Sequence, residues 1–336
     1  MSDSILTRRS VLAGMAAGAA ALSLPRSARA GDDGVVNVVH PYPEDSPVGS
    51  FLDRWKKGVM ADNNGRFKMK FREGEDTGAE ATVVQNLRKG KFEAAVVSSY
   101  GLGTEISKLN VLSLPYLFGV GDQSVVEARL KDARSEIKST LDGKGLKLVW
   151  MFYMGRQVLV SRDLELGPPS SYRGVKVGVR PGAHEVETWK AIGARPVEMA
   201  VNEMDNALRT NRIQAAAVSL FEAADLNWSM AKPRLALTNH AVNVGFLVFN
   251  KERFDKMAKK DQAALFDDRG RRQEALSEMV RKREAGLMGD LNREEMWMNV
   301  VKERDLNLLQ AASAQVHTDW LANHAGAKGL HKTLKG

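Results

Sequence analysis

The hydrophobic rhythm of residues 174–219 changes four times and predicts strand, helix, strand, helix, strand. Residues 174–180 alternate small apolar with polar positions, as a strand does, and Pro181-Gly182 then ends the run with residues suited to a turn. Val186, Trp189 and Ile192 recur at helical spacing, Gly193-Ala194 closes that helix, and residues 195–200 read as the next strand. Asn202 is placed to cap a helix reaching about Thr210, with Met204, Ala207 and Leu208 turned inward. Residues 213–219 are almost wholly apolar, the pattern of a strand covered on both faces. In β-α-β-α-β units ligands sit outside the carboxyl ends of the strands, which makes Arg180 a candidate binding residue.

Residues 35–98 repeat the same grammar without repeating the residues. Strands are predicted at 35–39, 67–71 and 92–98, with helices at 48–60 and 77–87 between them. Two such halves predict two α/β domains. Between them lie an apolar connector at 112–118, a polar-faced helix at 123–141, a strand at 146–153 and a Gly-Pro-Pro-Ser-Ser linker at 167–171. A further strand is predicted at 242–250, and nearly continuous helix from 253 toward 325. Residues 260–296 lack proline and read either as one long helix or as two broken near 286–289, where each glycine costs about 1 kcal/mol relative to alanine.

The first thirty residues look unlike the rest. Thr7-Arg8-Arg9-Ser10-Val11-Leu12, a weakly apolar run at 11–24 and Ala28-Arg29-Ala30 read as a twin-arginine export leader, which predicts a periplasmic location. The apolar run is shorter than the roughly 18 residues that span a bilayer, so the mature chain is expected not to be membrane-inserted. There is no cysteine in 336 residues, hence no disulfide framework and no thiolate chemistry. Of the formal net charge of +8, the leader's four arginines against Asp3 hold three, and the remainder is interspersed with Asp and Glu. That distribution is a solvated surface and points to no nucleic acid; a mild positive balance still favours an anionic solute.

No phosphate-binding glycine loop, nucleophile elbow or H-E-x-x-H motif occurs, so neither a cofactor nor an enzymatic activity is expected. His317, His324 and His331 recur every seven residues, which along one helix is two turns or about 10.5 Å per step, too far to share a metal ion. Two other readings remain open: a cofactor-containing periplasmic enzyme, because the twin-arginine route often exports folded cofactor proteins, and a sensory or interaction module.

Several pieces in order resemble one family. These are residues 78–98, Leu114-Pro115-Tyr116-Leu117-Phe118, Gly155-Arg156-Gln157, Gly174-Val175-Lys176-Val177, Ile192-Gly193-Ala194 with Pro196, Glu203 with Ala207-Leu208, and Thr238-Asn239-His240. Together they resemble the periplasmic solute receptors of tripartite ATP-independent periplasmic (TRAP) transporters, of the dicarboxylate-receptor type. The resemblance implies a two-domain α/β periplasmic binding protein fold with a hinge, crossing strands and a long helix spanning both domains. Domain I would comprise 31–153 plus about 242–280, and domain II 154–241 plus about 281–336. It also implies an extracytoplasmic receptor that closes on a small organic acid and delivers it to TRAP membrane permease subunits, doing no chemistry itself.

The family's carboxylate-binding arginine aligns with Gly178, and Arg180 lies two residues on, where i and i+2 share a strand face. The candidate ligand-binding residues are Arg156, Arg180, His240, Asn243, Tyr42 and Ser98, with Val218, Phe221 and Trp228 as an apolar lining. A polar segment of the family is replaced here by Ala215 to Val218, which keeps a more hydrophobic ligand open as an alternative.

Overall fold

A computed structural model describes residues 35–42, 44, 47–62, 68–72, 80–120, 123–225, 233–266, 269–293 and 297–336. The first half builds β1 (Val35–Val39), α1 (Pro47–Asp62), β2 (Lys68–Arg72), α2 (Glu80–Arg88), β3 (Ala94–Ser98), α3 (Ser99–Glu105) and α4 (Gln123–Asp142). The chain then crosses on β4 (Leu146–Ser161) to β5 (Lys176–Val179), α5 (Ala183–Ile192), β6 (Arg195–Glu198), α6 (Met204–Arg209), β7 (Ala215–Ser219) and α7 (Leu220–Asp225). It continues through β8 (Arg234–Ala236), β9 (Val242–Asn250), α8 (Lys251–Asp255), α9 (Lys259–Phe266), α10 (Arg269–Arg293), β10 (Trp297–Asn299), α11 (Glu303–Asn323) and α12 (Lys328–Lys335).

The strands run in the order β2-β1-β3-β9-β4-β7-β5-β6, with β8 beside β4 and β10 beside β8. Within each half the neighbours β2-β1-β3 and β7-β5-β6 are parallel, joined by helical crossovers. β4 links the halves. It pairs antiparallel with β9 from Leu146 to Arg156 and with β7 from Gln157 to Ser161. The register slips between Tyr153 and Arg156, and Gly155 there has φ +100. A Cβ at Gly155 would lie 2.9 Å from the Phe221 ring and 3.0 Å from Glu284 Oε1, so both backbone and space demand glycine at this kink.

Apolar periodicity explains the layers. On α4, Val126, Leu130, Ala133, Ile137 and Leu141 form one buried stripe, and Val83, Val84 and Leu87 do so on α2. These pack with β1, β3, β9 and the first part of β4 in a first core. In the second half β7 sends alternate residues to opposite faces. Ala215 and Ala217 pack with Trp189, Ile192 and Leu309, while Ala216 and Val218 pack with Val158, Met204 and Leu208. Val280 and Leu287 of α10 lie in the first core and Leu291 of the same helix in the second, so one helix spans both.

Several expectations differ from this fold. The strand predicted at 146–153 runs on to Ser161, because residues 158–161 are as apolar and as buried as those before them. Among the described residues the predicted near-continuous terminal helix is four helices with β10, whose backbone pairs with β8, among them, before α12 follows a further turn. α10 passes through Gly286 and Gly289 unbroken. Val316, Trp320, Leu330 and Leu334 pack in the first core, whereas the chain beyond about residue 281 was expected in the second domain. The chain turns after Asn323, so the three histidines do not share one helix; His317 Nδ1 lies 2.8 Å from His331 Nε2 and its Nε2 lies 2.6 Å from the Pro115 carbonyl oxygen. The leader lies outside the described residues. Among the described residues no helix is long and apolar enough to cross a membrane.

Candidate functional site

Arg180 follows the last residue of β5, and Pro181-Gly182 lead directly into α5. Its guanidinium donates to Gln157 Oε1 at 3.2 Å, ion-pairs with Glu222, and lies 4.8 Å over the Tyr100 ring. Gln157 comes from β4, Glu222 from α7 and Tyr100 from α3, so the cation is held between the two halves of the chain. Gly178 cannot share this role. A Cβ there would fall 2.6 Å from Ile213 Cδ1 with Met199 Sδ at 3.4 Å, so apolar core occupies the space that a side chain would need.

Two carboxylates meet the ends of apolar strands in the same way. Ser219 ends β7 and opens α7; its Oγ accepts from the Glu222 amide at 3.1 Å and its own amide donates to Glu222 Oε2 at 2.7 Å. This is a capping box, Ser-x-x-Glu, and it aims Glu222 at Arg180. Ser98 ends β3 and opens α3, where its Oγ accepts from the Gly101 amide at 3.2 Å. Glu80 accepts from the Ser98 amide at 3.0 Å, from the Ser98 hydroxyl and from the Tyr42 hydroxyl.

A third carboxylate, Glu185, sits in the first turn of α5 with 5% of its surface exposed. It faces the Tyr100 hydroxyl and Arg180, and its Oε2 has no hydrogen-bond partner. Burial pushes the Glu80 and Glu185 carboxyls up, against the pull of their hydrogen bonds and of Arg180 respectively. Burial acts on Glu222 as well, but the Arg180 charge and the Ser219 bonds outweigh it and hold that carboxyl below its ordinary value.

Buried imidazoles line the same region. His184 stacks on Tyr100 with centroids 6.2 Å apart, and His240 packs edge-on against Trp189 at 4.8 Å with Nδ1 2.8 Å from Thr238 Oγ1. Desolvation lowers His184 from 6.5 to about 4 and His240 to about 3, and the Arg180 charge adds to the second shift. A group depressed in the fold supplies stability that is complete above its unfolded value of 6.5 and is lost as pH falls toward the folded one. Raised carboxyls such as Glu80 and Glu185 work in the opposite direction. We therefore expect the loss of unfolding free energy between pH 7.5 and 5 to be smaller by about 2 kcal/mol in His240→Gln than in the native chain, measured by urea titration. Equal losses in the two proteins would contradict the burial of a neutral His240.

The predicted residues divide into those gathered around Arg180 and those placed elsewhere. Tyr42 and Ser98 belong to the gathering through Glu80, and Tyr42 lies within electrostatic reach of both Arg180 and Glu222. His240 is there, and the Asn243 side chain, 5% exposed, leaves Oδ1 without a partner. Arg156 instead meets α10: its amide donates to Glu284 Oε1 at 3.2 Å beside the Tyr153 hydroxyl, which binds the same carboxylate at 3.0 Å. Ser98 was expected to touch solute, but its hydroxyl is committed to Glu80 and the Gly101 amide.

Val218 and Phe221, expected to line a pocket, are core residues. Val218 pairs across strands with Val158 at 0% exposure, and Phe221 packs in the first core over Gly155. Trp228 lies outside the described residues. Glu80, Glu185, Glu222, His184, Gln157 and Tyr100 were not anticipated. Only Glu222 carried a readable signal, the Ser219-Leu220-Phe221-Glu222 capping box directly after an apolar strand. Among the described residues no group of three or more metal-ligating side chains occurs.

Comparison with known proteins places this geometry in a family. Residues 38–323 match the family described as bacterial extracellular solute-binding protein, family 7. The 2,3-diketo-L-gulonate-binding periplasmic protein YiaO of Escherichia coli K12 is 23% identical over 203 residues, which are 60% of this chain and 61% of that protein. The match therefore spans less than two thirds of that relative.

Two crystal structures of TRAP periplasmic solute-binding proteins superpose closely. One, from Sulfitobacter sp. NAS-14.1 with bound β-D-galacturonate, has a TM-score of 0.80 at 20% identity, covering 90% of this chain and 99% of that one. The other, from Haemophilus influenzae with bound L-gulonate, has a TM-score of 0.80 at 21% identity, covering 89% and 98%. At that identity they establish the two-domain α/β fold. With its matching residues running from β1 to the end of α11, the chain belongs to the bacterial extracellular solute-binding protein family 7.

Proposed function

We propose that this chain is a periplasmic receptor that binds a small organic acid in the polar seam around Arg180 and presents it to the membrane permease of a TRAP transporter. The observation that carries the reading is Arg180 itself: a guanidinium with a side chain 13% exposed, held between elements of both halves and next to buried polar atoms without partners. Gln157 Nε2 and His240 Nε2 are among these, and both are placed to meet a polar solute. Relatives of the same fold hold sugar acids. In this reading the chain catalyses nothing, and the seam closes by hinge motion between two domains that divide near residue 154 on β4.

Export by the twin-arginine route through residues 1–30 belongs to the same proposal; replacing Arg8 and Arg9 together with lysine would then leave the chain in the cytoplasm. Binding is tested by thermal unfolding against a panel of uronates, aldonates, hydroxy acids and amino acids. A solute at 100 times its dissociation constant stabilises by about 2.7 kcal/mol. If no acid raises the unfolding temperature and none is released from the purified protein, the receptor reading is wrong.

A further inference from the structure

The charges of the seam do not balance within the chain. Arg180 is ion-paired to Glu222, and Glu185 is a second carboxylate within its electrostatic reach. Glu80 stands beyond, close enough to act on Glu222. The other candidate cation, Arg156, lies beside Glu284 of α10. The Arg180 guanidinium is therefore already paired, and Glu185 is left over with one oxygen unpartnered. With Glu185 ionised, a solute carrying only a carboxylate would add a further negative charge beside it in a desolvated region, which is strongly unfavourable.

The hydrogen-bond inventory points the same way. Gln157 is fully buried, its Oε1 takes a bond from Arg180, and its Nε2 donor is unused. That donor, with the adjacent guanidinium, suits a solute carboxylate. Glu185 is 5% exposed and its Oε2 acceptor is unused. An ionised carboxylate only accepts, so the group that completes it must donate, and a donor that also carries positive charge balances the seam. Tyr100 cannot supply that charge. Its ring is covered by Arg180 on one side and stacked with His184.

We propose that Glu185 is a specificity-determining contact that receives a protonated nitrogen of the solute, so that the seam selects a small zwitterion, a carboxylate bearing an ammonium or iminium group, over the nitrogen-free acid of the same shape. This rests on the receptor reading above and narrows its solute class. Neutral solute hydroxyls would also donate to Glu185, but they would leave the charge uncompensated.

The test is isothermal titration of the full chain at pH 7.5 with two matched sets: L-glutamate, L-2-hydroxyglutarate and glutarate, then D-glucosaminate and D-gluconate. The amino member of at least one set is expected to bind tenfold or more tightly than its hydroxy partner. Glu185→Gln should erase that preference by weakening the amino member alone, and Glu185→Asp should restore part of it. A hydroxy or plain acid that binds as tightly as its amino partner in the native chain overturns the proposal while the receptor reading stands. So does a preference that survives Glu185→Gln, or hydroxy-acid binding that tightens on acidification to pH 6, which would mean that a proton balances Glu185. If neither set binds and no acid of any kind is released from the purified protein, the receptor reading falls, and this proposal with it.

Discussion

Arg180→Ala is expected to lower the unfolding free energy by about 3 kcal/mol at pH 7 and to weaken binding of any carboxylate solute at least tenfold. The stability loss follows from what the substitution leaves behind. The Glu222 carboxylate stays anchored by the Ser219 amide, which holds it in place when its counter-ion is removed. Removing one partner of a buried ion pair costs about 3–5 kcal/mol, and the 31% exposure of the Glu222 side chain places this pair at the low end.

Two measurements separate this from a simple loss of packing. The destabilisation should shrink as pH falls through the ordinary carboxylate range, because a protonated Glu222 no longer needs a cation. The double variant Arg180→Ala/Glu222→Ala should regain most of the loss in urea titrations, giving a coupling energy that purely structural contacts would not show. A single variant of near-native stability, with no coupling to Glu222, would mean that the pair contributes nothing. The binding loss has the scale of a charged hydrogen bond, about 1.5–3 kcal/mol.

Trp189→Ala should destabilise still more, by about 4 kcal/mol, the usual cost of deleting a large buried aromatic side chain. Trp189 is 1% exposed and packs against Tyr172 at 5.9 Å and His240 at 4.8 Å between ring centroids. It lies on α5, the helix whose first turn carries His184 and Glu185, and belongs to the same apolar cluster as Leu306 and Leu309 of α11. The resulting cavity would loosen α5 against both neighbours, so solute binding should weaken as well. Trp189→Phe retains most of the apolar contact and should cost about 1–2 kcal/mol. Chemical denaturation of both variants checks the ordering; an alanine variant no less stable than the phenylalanine variant would show that the site tolerates collapse.

The α/β order of both halves was legible because its elements are set by local patterns. β1 and β9 were predicted residue for residue, and the β-α-β-α-β order of both halves emerged from period changes alone. Those periods reflect which side of each element meets the core, a property that neighbouring residues establish among themselves. Short elements were less visible. β8 and β10 have three residues each and exist as strands through pairing with each other, residue 234 against residue 297. α3 and α7 begin on the serine caps that end their strands, and their position became clear only with the capping bonds in place.

The binding seam was legible only in part. Arg180 could be placed at a strand end because Pro181-Gly182 mark that end in the chain itself. Its neighbours could not. Glu222 stands 42 positions away and Gln157 23 positions away; the capping box marks Glu222 as the start of a helix, but nothing local pairs either residue with Arg180. Val218 and Phe221 illustrate the opposite error, since an apolar run beside a strand end reads alike whether it lines a cleft or fills a core. The sequence alone determined that this is a cysteine-free α/β chain of two similar halves with an arginine at the mouth of the second, because strand alternation, turn residues and composition are local quantities. Tertiary structure alone decided that this arginine arrives already paired with Glu222 and that Glu185 is buried beside it with one oxygen unpartnered, because such contacts depend on which distant side chains the fold brings within a few ångströms.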